Sequence, residues 1–136
     1  MTIFKDEGGG ITERSLKYFH SIKPQLGRIV RAEAGFEPLK QETKFGELAG
    51  KRYTYVADYN LILYDEVGNE VYLSGMSIGY NGTGPHGSFD VLREVGLLPA
   101  NIRFEDTAIP NSQKYEWRAL CRHYVPENSC VICRGK

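Results

Sequence analysis

Apolar residues recur at helical spacing in the N-terminal part of the chain. Leu16, Phe19 and Ile22 fall on one side of a helix whose predicted N-cap is Thr12. Pro24 ends this helix, because proline has no amide hydrogen for a continuing turn. The pattern therefore predicts one amphipathic helix that packs on a core through its apolar side.

A second amphipathic pattern follows a glycine-rich segment. Ser88 is the predicted N-cap of a helix with Phe89, Leu92 and Val95 on one face. Gly96 is expected to end the helix, and Pro99, which follows shortly after, prevents it from resuming.

Strand patterns occupy most of the remaining chain. Residues 52–65 are rich in aromatic and branched side chains, residues 65–70 supply turn chemistry, and residues 71–73 resume a strand that runs toward Ile78. This order predicts an antiparallel hairpin. Residues 101–109 and the alternating residues 115–125 are two further predicted strands, and residues 27–36 are interpreted as a short strand or an irregular turn. Residues 37–50 are polar and are predicted to form a loop.

These elements together predict an α+β fold, an antiparallel sheet of about five strands with two helices packed on it. Residues 1–10, which include three consecutive glycines, are interpreted as a flexible lead, and residues 11–136 as a single domain with a cysteine-containing C-terminal tail. A chain of 136 residues is long enough to bury one core.

The charge balance limits the classes of partner. Seventeen basic and seventeen acidic residues give a net charge of zero, which argues against a general nucleic-acid-binding protein. No stretch approaches the roughly 20 apolar residues of a membrane span, and the N-terminus lacks the pattern of a signal peptide. We therefore expect a cytoplasmic protein, in the host cytoplasm if phage-encoded, whose three cysteines are reduced.

The segment of residues 79–92 carries the most specific signal. Its glycines lie between a predicted strand and a predicted helix, where free amide hydrogens and the helix dipole favour an anion. The match to G-x-G-x-x-G does not indicate a dinucleotide-binding fold, because the preceding strand belongs to an antiparallel hairpin. A tight turn whose glycines only allow close packing remains the alternative.

The predicted ligand contacts combine this loop with arginines that can hold a phosphate by paired hydrogen bonds. Tyr80 is expected to stack on a base or ring. The arginines have the alternative of a solvated charged surface, and the other tyrosines that of sheet packing. The full predicted set is Tyr80, Gly82, Thr83, Gly84, His86, Gly87, Ser88, Arg28, Arg103, Arg118 and Arg122.

The stretch Gly-Tyr-Asn-Gly-Thr-Gly-Pro at residues 79–85, followed by a short amphipathic helix, resembles the Gly-Tyr-Gly-Gly-x-Gly-Pro segment of a small uncharacterised domain family of bacteria and their phages. Asn81 stands where that family has its second glycine, and the resemblance ends near Leu92. It implies a bacterial or phage origin and carries over no catalytic residue.

The C-terminal cysteines allow a metal site. Cys130 and Cys133 have the spacing with which two thiolates reach one zinc ion across a tight turn, and Cys121 and His123 are available as the remaining ligands. The alternative is a buried Cys121 with two reduced thiols in a tail.

Three hypotheses for function follow. The preferred one is a non-enzymatic protein that binds a phosphate-bearing small molecule such as a nucleotide, which in a phage can serve to sequester a host immune signal. The second is a protein-interaction module, such as an inhibitor of a host enzyme, that uses the tyrosine-rich sheet with or without zinc. The third is a small hydrolase or transferase that uses His86 as acid or base. Assembly into a homo-oligomer is a further prediction.

Overall fold

The computed structural model describes residues 1–98 and 101–108, and the backbone of residues 123–125 and 129–133. Two helices, α1 (Thr12–Ile22) and α2 (Thr83–Glu94), lie in this part of the chain. The strands are β1 (Ile3–Lys5), β2 (Ile29–Gly35), β3 (Lys40–Leu48), β4 (Lys51–Tyr59), β5 (Leu61–Asp65), β6 (Glu70–Leu73), β7 (His123–Val125) and β8 (Ser129–Cys133). Short 3-10 turns cover Lys23–Gln25 and Phe104–Thr107.

Six of the described strands form one sheet in the order β1-β6-β5-β2-β8-β7, and β3 pairs only with β4. Every pairing in the large sheet is antiparallel except that of β1 with β6. The predicted α+β class, with an antiparallel sheet and two helices packed on it, is therefore confirmed.

Strand β5 explains how the layers are arranged. Leu61 and Leu63 belong to the main core, where they meet Phe19 of α1 and Phe89 of α2. Ile62 lies in a second cluster on the opposite face, with Ala57 and Tyr59 of β4 and Tyr72 of β6. Because successive side chains of a strand point to opposite faces, a continuous apolar run is buried on both sides. The helices cover one face of the sheet, and the base of the β3–β4 hairpin covers the other.

The prediction of a loop over residues 37–50 is wrong. This segment contains β3, which pairs with β4 from Lys40 opposite Tyr59 to Leu48 opposite Lys51. All of its side chains are exposed or half-buried, so no apolar alternation marks it as a strand. The predicted single strand of residues 52–65 is also divided. Asn60 separates β4 from β5, and its side-chain amide donates to the carbonyl oxygens of Gly35 and Phe36 at 3.2 and 3.1 Å.

Three element boundaries also differ from the prediction. Helix α2 begins at Thr83 with Gly82 as its N-cap, so Ser88 is not the cap and is instead fully buried in the middle of the helix. Thr12 is the first residue of α1, whose N-cap is Ile11. In the segment predicted as a strand over residues 101–109, Phe104–Thr107 forms a 3-10 turn.

The predicted flexible lead is partly ordered by pairing. Ile3–Lys5 forms β1 at the edge of the sheet, where it runs parallel to β6. Gly8 is buried, and its amide donates to the Asp6 carboxylate at 2.9 Å. The segment therefore belongs to the fold, and it brings Gly8 against Ala57 and Tyr59 of β4.

Asp65 organises the turn between β5 and β6, and its carboxylate makes the stability of the fold depend on pH. Its buried carboxylate accepts from the amides of Gly27, Val67 and Asn69 and from the Asn69 side chain, at 2.7 to 3.1 Å. Burial acts to raise the pKa of Asp65, but these hydrogen bonds outweigh it and the pKa is lowered. The carboxylate therefore stabilises the fold above its unfolded pKa of about 3.9, and this contribution is lost as the pH falls through the folded value.

We expect Asp65→Asn to reduce the free energy of unfolding at pH 7 by about 2 kcal/mol, because charged acceptors form stronger hydrogen bonds than neutral ones. The difference from the wild type should shrink in urea titrations as the pH is lowered below about 4. Asp90→Asn, at an exposed position of α2, is the control. A constant difference from pH 7 to pH 3 would contradict this role of the Asp65 charge.

Candidate functional site

A cleft of about 720 Å³ lies where both helices begin. Its walls come from the N-terminal glycine segment, the start of α1, the outer side of β4, the chain between β6 and α2, and the first turn of α2. The lining residues are Gly8, Gly9, Gly10, Thr12, Phe36, Val56, Asp58, Asn60, Ser74, Gly75, Ser77, Tyr80, Thr83 and Gly84. Segments that are distant in the sequence therefore form one concave surface.

Two amides in the first turn of α2 have no acceptor within the helix, and both belong to residues that line the cleft. The amide of His86 donates to the Gly82 carbonyl oxygen at 3.1 Å, which is the first hydrogen bond of the helix. Pro85 has no amide hydrogen, so the unused donors are those of Thr83 and Gly84. Both residues line the cleft. No side chain caps this end, and no acidic residue lies in its first turn. The helix dipole therefore favours negative charge there.

Helix α1 begins beside α2. The Thr12 hydroxyl donates to the Gly75 carbonyl oxygen at 2.6 Å, and the N-cap residue Ile11 provides no side-chain hydrogen bond. A Cβ atom built on Gly75 would lie 2.5 Å from the Ile11 carbonyl carbon, and one on Gly87 would lie 2.5 Å from the Thr12 methyl group. These glycines therefore allow the two helix starts to approach each other closely at the cleft.

Residues 8–10, here called the glycine bridge, are held by a buried hydrogen-bond network. The Asp6 carboxylate accepts from the Gly8 amide at 2.9 Å, from the Ser15 hydroxyl at 2.5 Å and from the Ser74 amide at 2.8 Å. The Ser74 hydroxyl in turn accepts from the Gly10 amide at 3.1 Å. Gly8 and Gly10 have φ angles of +80° and +73°, a region that glycine adopts without strain. The network therefore holds one wall of the cleft in place.

Aromatic rings form the opposite rim. Tyr80 and Phe36 are partly exposed and meet edge to face, with ring centroids 6.0 Å apart. The Tyr80 hydroxyl lies 3.0 Å from the Ser77 hydroxyl, which fixes the ring beside the first turn of α2. Gly79, with a φ of +104°, makes the turn that brings the two rings together, and a Cβ there would lie 2.9 Å from the Phe36 ring. The rim offers apolar surface next to polar backbone.

The charge of the cleft is uneven. Asp58 is the one ionisable carboxylate among the lining residues, and its Oδ1 accepts from the Gln41 side chain at 2.7 Å. No lysine or arginine is among the lining residues of the described chain. A ligand with a negative group is therefore favoured at the start of α2, whose first turn has no acidic residue, and disfavoured near Asp58; the first turn of α1 contains Glu13.

The structure brings together only part of the predicted site. Tyr80, Thr83 and Gly84 line the cleft, whereas Gly82, His86, Gly87 and Ser88 do not. The helix uses the His86 amide, and the His86 ring stacks on Phe104 with centroids 3.8 Å apart and lies 3.0 Å from the Asn81 side-chain oxygen. The prediction that the amides of His86, Gly87 and Ser88 are free is wrong, because the helix begins five residues before Ser88. The free amides are those of Thr83 and Gly84.

The predicted arginines do not reach the cleft in the described chain. The Arg28 side chain is exposed, and the Arg28 amide donates to Oε1 of Glu66. Nη2 of Arg103 lies 3.9 Å from Oδ1 of Asp106. Arg118 and Arg122 lie outside the described residues. The lining residues that sequence reasoning missed are Gly8, Gly9, Gly10, Thr12, Phe36, Val56, Asp58, Asn60, Ser74, Gly75 and Ser77. Three consecutive glycines before a helix were the available signal for the bridge.

The predicted zinc ligands have no described side chains. The backbone places His123 in β7, and Cys130 and Cys133 in β8, which is an extended strand and not a tight turn. Cys121 lies outside the described residues. Among the described side chains no group of three histidine, cysteine, aspartate or glutamate residues is arranged to hold a metal. The zinc site therefore stays a prediction.

None of the described helices combines the length and the apolar character that crossing a membrane requires. No protein-family model, curated protein or solved structure matches this chain.

Proposed function

We propose that this protein binds a small phosphate-bearing molecule, of the nucleotide class, in the cleft where its two helices begin. The observation that carries this proposal is that both helices begin at one cleft without a capping side chain. The start of α2, which has no acidic residue in its first turn, attracts anions through its free amides and the helix dipole, whereas the first turn of α1 contains Glu13. The amides of Thr83 and Gly84 would hold the phosphate, and the hydroxyl of Thr83 adds a donor.

The open backbone around the cleft supports a close approach by a ligand. A Cβ atom on Gly9 or Gly10 would meet no heavy atom within 4 Å, so space lies in front of this wall. A Cβ on Gly84 would lie 2.7 Å from the Ser77 hydroxyl oxygen and 3.3 Å from the Tyr80 hydroxyl oxygen. Glycine at position 84 therefore allows the Ser77 and Tyr80 hydroxyls to pack closely against the first turn of α2, and the open space lies in front of Gly9 and Gly10.

The remaining walls suggest the orientation of the ligand. The Tyr80 and Phe36 rings supply apolar surface on which a base can pack. The Asp58 carboxylate repels a phosphate and accepts hydrogen bonds from hydroxyl or amino groups, which nucleosides carry. We therefore place the phosphate at the helix starts and the nucleoside toward Tyr80 and Asp58. Because His86 does not line the cleft, the geometry supports binding and not the hydrolase or transferase hypothesis.

Calorimetric titration with inorganic phosphate, adenosine, AMP and ATP tests this proposal. We expect AMP to bind more tightly than phosphate or adenosine alone, because it fills both ends of the cleft. Tyr80→Ala should weaken AMP binding about tenfold through loss of stacking and leave phosphate binding unchanged. Tyr53→Ala removes a tyrosine that does not line the cleft and is the control. Absence of heat with every compound would overturn the proposal.

A protein-interaction module is the second candidate function. Of the tyrosines in the predicted interaction surface, Tyr59 and Tyr72 are buried, whereas Tyr53 is 49% exposed. Exposed apolar side chains also lie on the β3–β4 hairpin, at Phe45, Leu48 and Val56. The same titration separates the two candidates, because a protein that acts only by contacting another protein gives no heat with any phosphate compound.

A further inference from the structure

A second cavity, here called the side cavity, lies between residues 6–9 and one face of α1. Its volume is about 480 Å³, which is within the range of small-molecule sites. Arg14, Lys17 and Ser21 line it, and their spacing of three and four residues puts them in one row along the helix. The cleft alone does not account for this row of polar side chains.

The glycine bridge forms a wall that the side cavity and the cleft have in common. Gly8, Gly9 and Ser74 line both cavities. A Cβ atom built on Gly9 would meet no heavy atom within 4 Å, so open space lies in front of this residue. The two cavities are therefore neighbours, and a chain-shaped ligand can cross from one to the other at Gly9 without meeting a side chain of the bridge.

The side cavity contains the positive charge that the described lining of the cleft lacks. Lys17 is exposed and takes part in none of the ion pairs formed by the described residues. Nη1 of Arg14 lies 3.8 Å from Oε2 of Glu7, which is beyond hydrogen-bond distance, and both side chains are exposed. Exposed pairs of this kind are weak, so both cations are available to an anionic ligand.

Two carboxylates also line the side cavity, but only one of them is exposed. Asp6 is 5% exposed, and its oxygens accept from the Gly8 amide, the Ser15 hydroxyl and the Ser74 amide. The Glu7 side chain is 83% exposed, so it can turn toward water at little cost when an anion approaches. A ligand at the surface of the side cavity therefore meets two cations and one exposed carboxylate.

We infer that the ligand carries a chain of two or more phosphates, as a nucleoside di- or triphosphate does, and that its terminal phosphates cross Gly9 into the side cavity. This inference rests on the proposed function, in which the amides of Thr83 and Gly84 hold the first phosphate. A helix start is equivalent to about half a positive charge, so each additional phosphate needs cations of its own. Arg14 supplies paired hydrogen bonds and Lys17 a compact charge.

Calorimetric titration with AMP and ATP in metal-free buffer tests the inference. We expect ATP to bind the wild type about tenfold more tightly than AMP does, because two cations contact its terminal phosphates. The double variant Arg14→Gln/Lys17→Gln should lose this difference and keep its affinity for AMP. Glutamine is a good helix former, so α1 is retained.

Arg28→Gln/Lys51→Gln is the matched control, because it removes the same charge from two exposed residues that line neither cavity. We expect this control to keep the wild-type preference for ATP. A wild type that binds ATP no more tightly than AMP would overturn the inference. An equal loss of the preference in both double variants would also overturn it, since the effect would then come from net charge and not from the side cavity.

Gly9→Val tests the route between the two cavities. The Cβ of residue 9 lies in open space and its φ angle is not in the left-handed region, so the fold accepts the substitution. The branched side chain would stand on the common wall, and we expect the ratio of the AMP to the ATP dissociation constant to fall toward one. A Gly9→Val variant that keeps the full ratio would show that the terminal phosphates do not cross at Gly9.

Inorganic tripolyphosphate separates the inference from the proposed function. Heat from tripolyphosphate that requires Arg14 and Lys17, with none from AMP, adenosine or phosphate, would overturn the proposed site in the cleft and leave the side cavity as a polyphosphate site. Binding of AMP, together with equal affinity for ATP in the wild type and in Arg14→Gln/Lys17→Gln, would leave the proposed function intact and overturn the inference.

Discussion

Gly75→Ala is expected to lower the free energy of unfolding by about 3 kcal/mol, at the upper end of the cost of inserting a methyl group into a packed region. The new Cβ would lie 2.5 Å from the carbonyl carbon of Ile11 and 2.6 Å from the amide nitrogen of Thr12. Both are backbone atoms at the start of α1, so relief requires the helix to move. Urea titration followed by circular dichroism measures the effect.

Gly9→Ala is the matched control for this substitution. Gly9 lines the same cleft, its φ angle is not in the left-handed region, and its Cβ would meet no heavy atom within 4 Å. We expect its stability to stay within about 0.5 kcal/mol of the wild type. If Gly75→Ala unfolds at the same urea concentration as Gly9→Ala, the two helix starts are not packed as closely as described.

Asp6→Ala is the second substitution for which we expect a large effect, a loss of about 4 kcal/mol. Asp6 is only 5% exposed, and its removal leaves the Gly8 amide, the Ser74 amide and the Ser15 hydroxyl without their acceptor. Each buried donor left unpaired costs about 1–3 kcal/mol. Hydrogen exchange should also show faster exchange of the Gly8 and Ser74 amides.

Glu7→Ala provides the control at the neighbouring position. The Glu7 side chain is 83% exposed, and its nearest cation, on Arg14, is 3.8 Å away. Exposed ion pairs of this kind contribute about 0–1 kcal/mol. An Asp6→Ala variant no less stable than Glu7→Ala would show that the carboxylate network does not hold the glycine bridge.

The two helices and the β5–β6 hairpin could be predicted because their signals are local. Phe19 and Ile22 repeat at helical spacing, Pro24 interrupts the helix, and residues 65–70 have turn chemistry between two apolar runs. Strand β3 could not be predicted, because none of its side chains is buried and its partner strand alone holds it in place. A strand without a buried face has no alternation that a sequence can reveal.

Only the part of the candidate site that has a local sequence signal was predicted. The sequence singled out Tyr80, Thr83 and Gly84 through the density of glycines before a helix, and these three residues line the cleft. It placed the helix start at Ser88, because serine is a common N-cap residue. In the structure Pro85 lies in the first turn of α2, where its fixed φ angle suits a helix.

The sequence by itself determined the class of fold and the presence of a glycine-rich helix start, since spacing and turn chemistry act over a few residues. Only the tertiary structure decided that residues 8–10 stand opposite Thr83 and Gly84 across one cleft. Asp6, Ser15 and Ser74 make that juxtaposition through hydrogen bonds between segments up to 68 positions apart. No local pattern encodes such contacts, because they exist only after the strands and helices have packed.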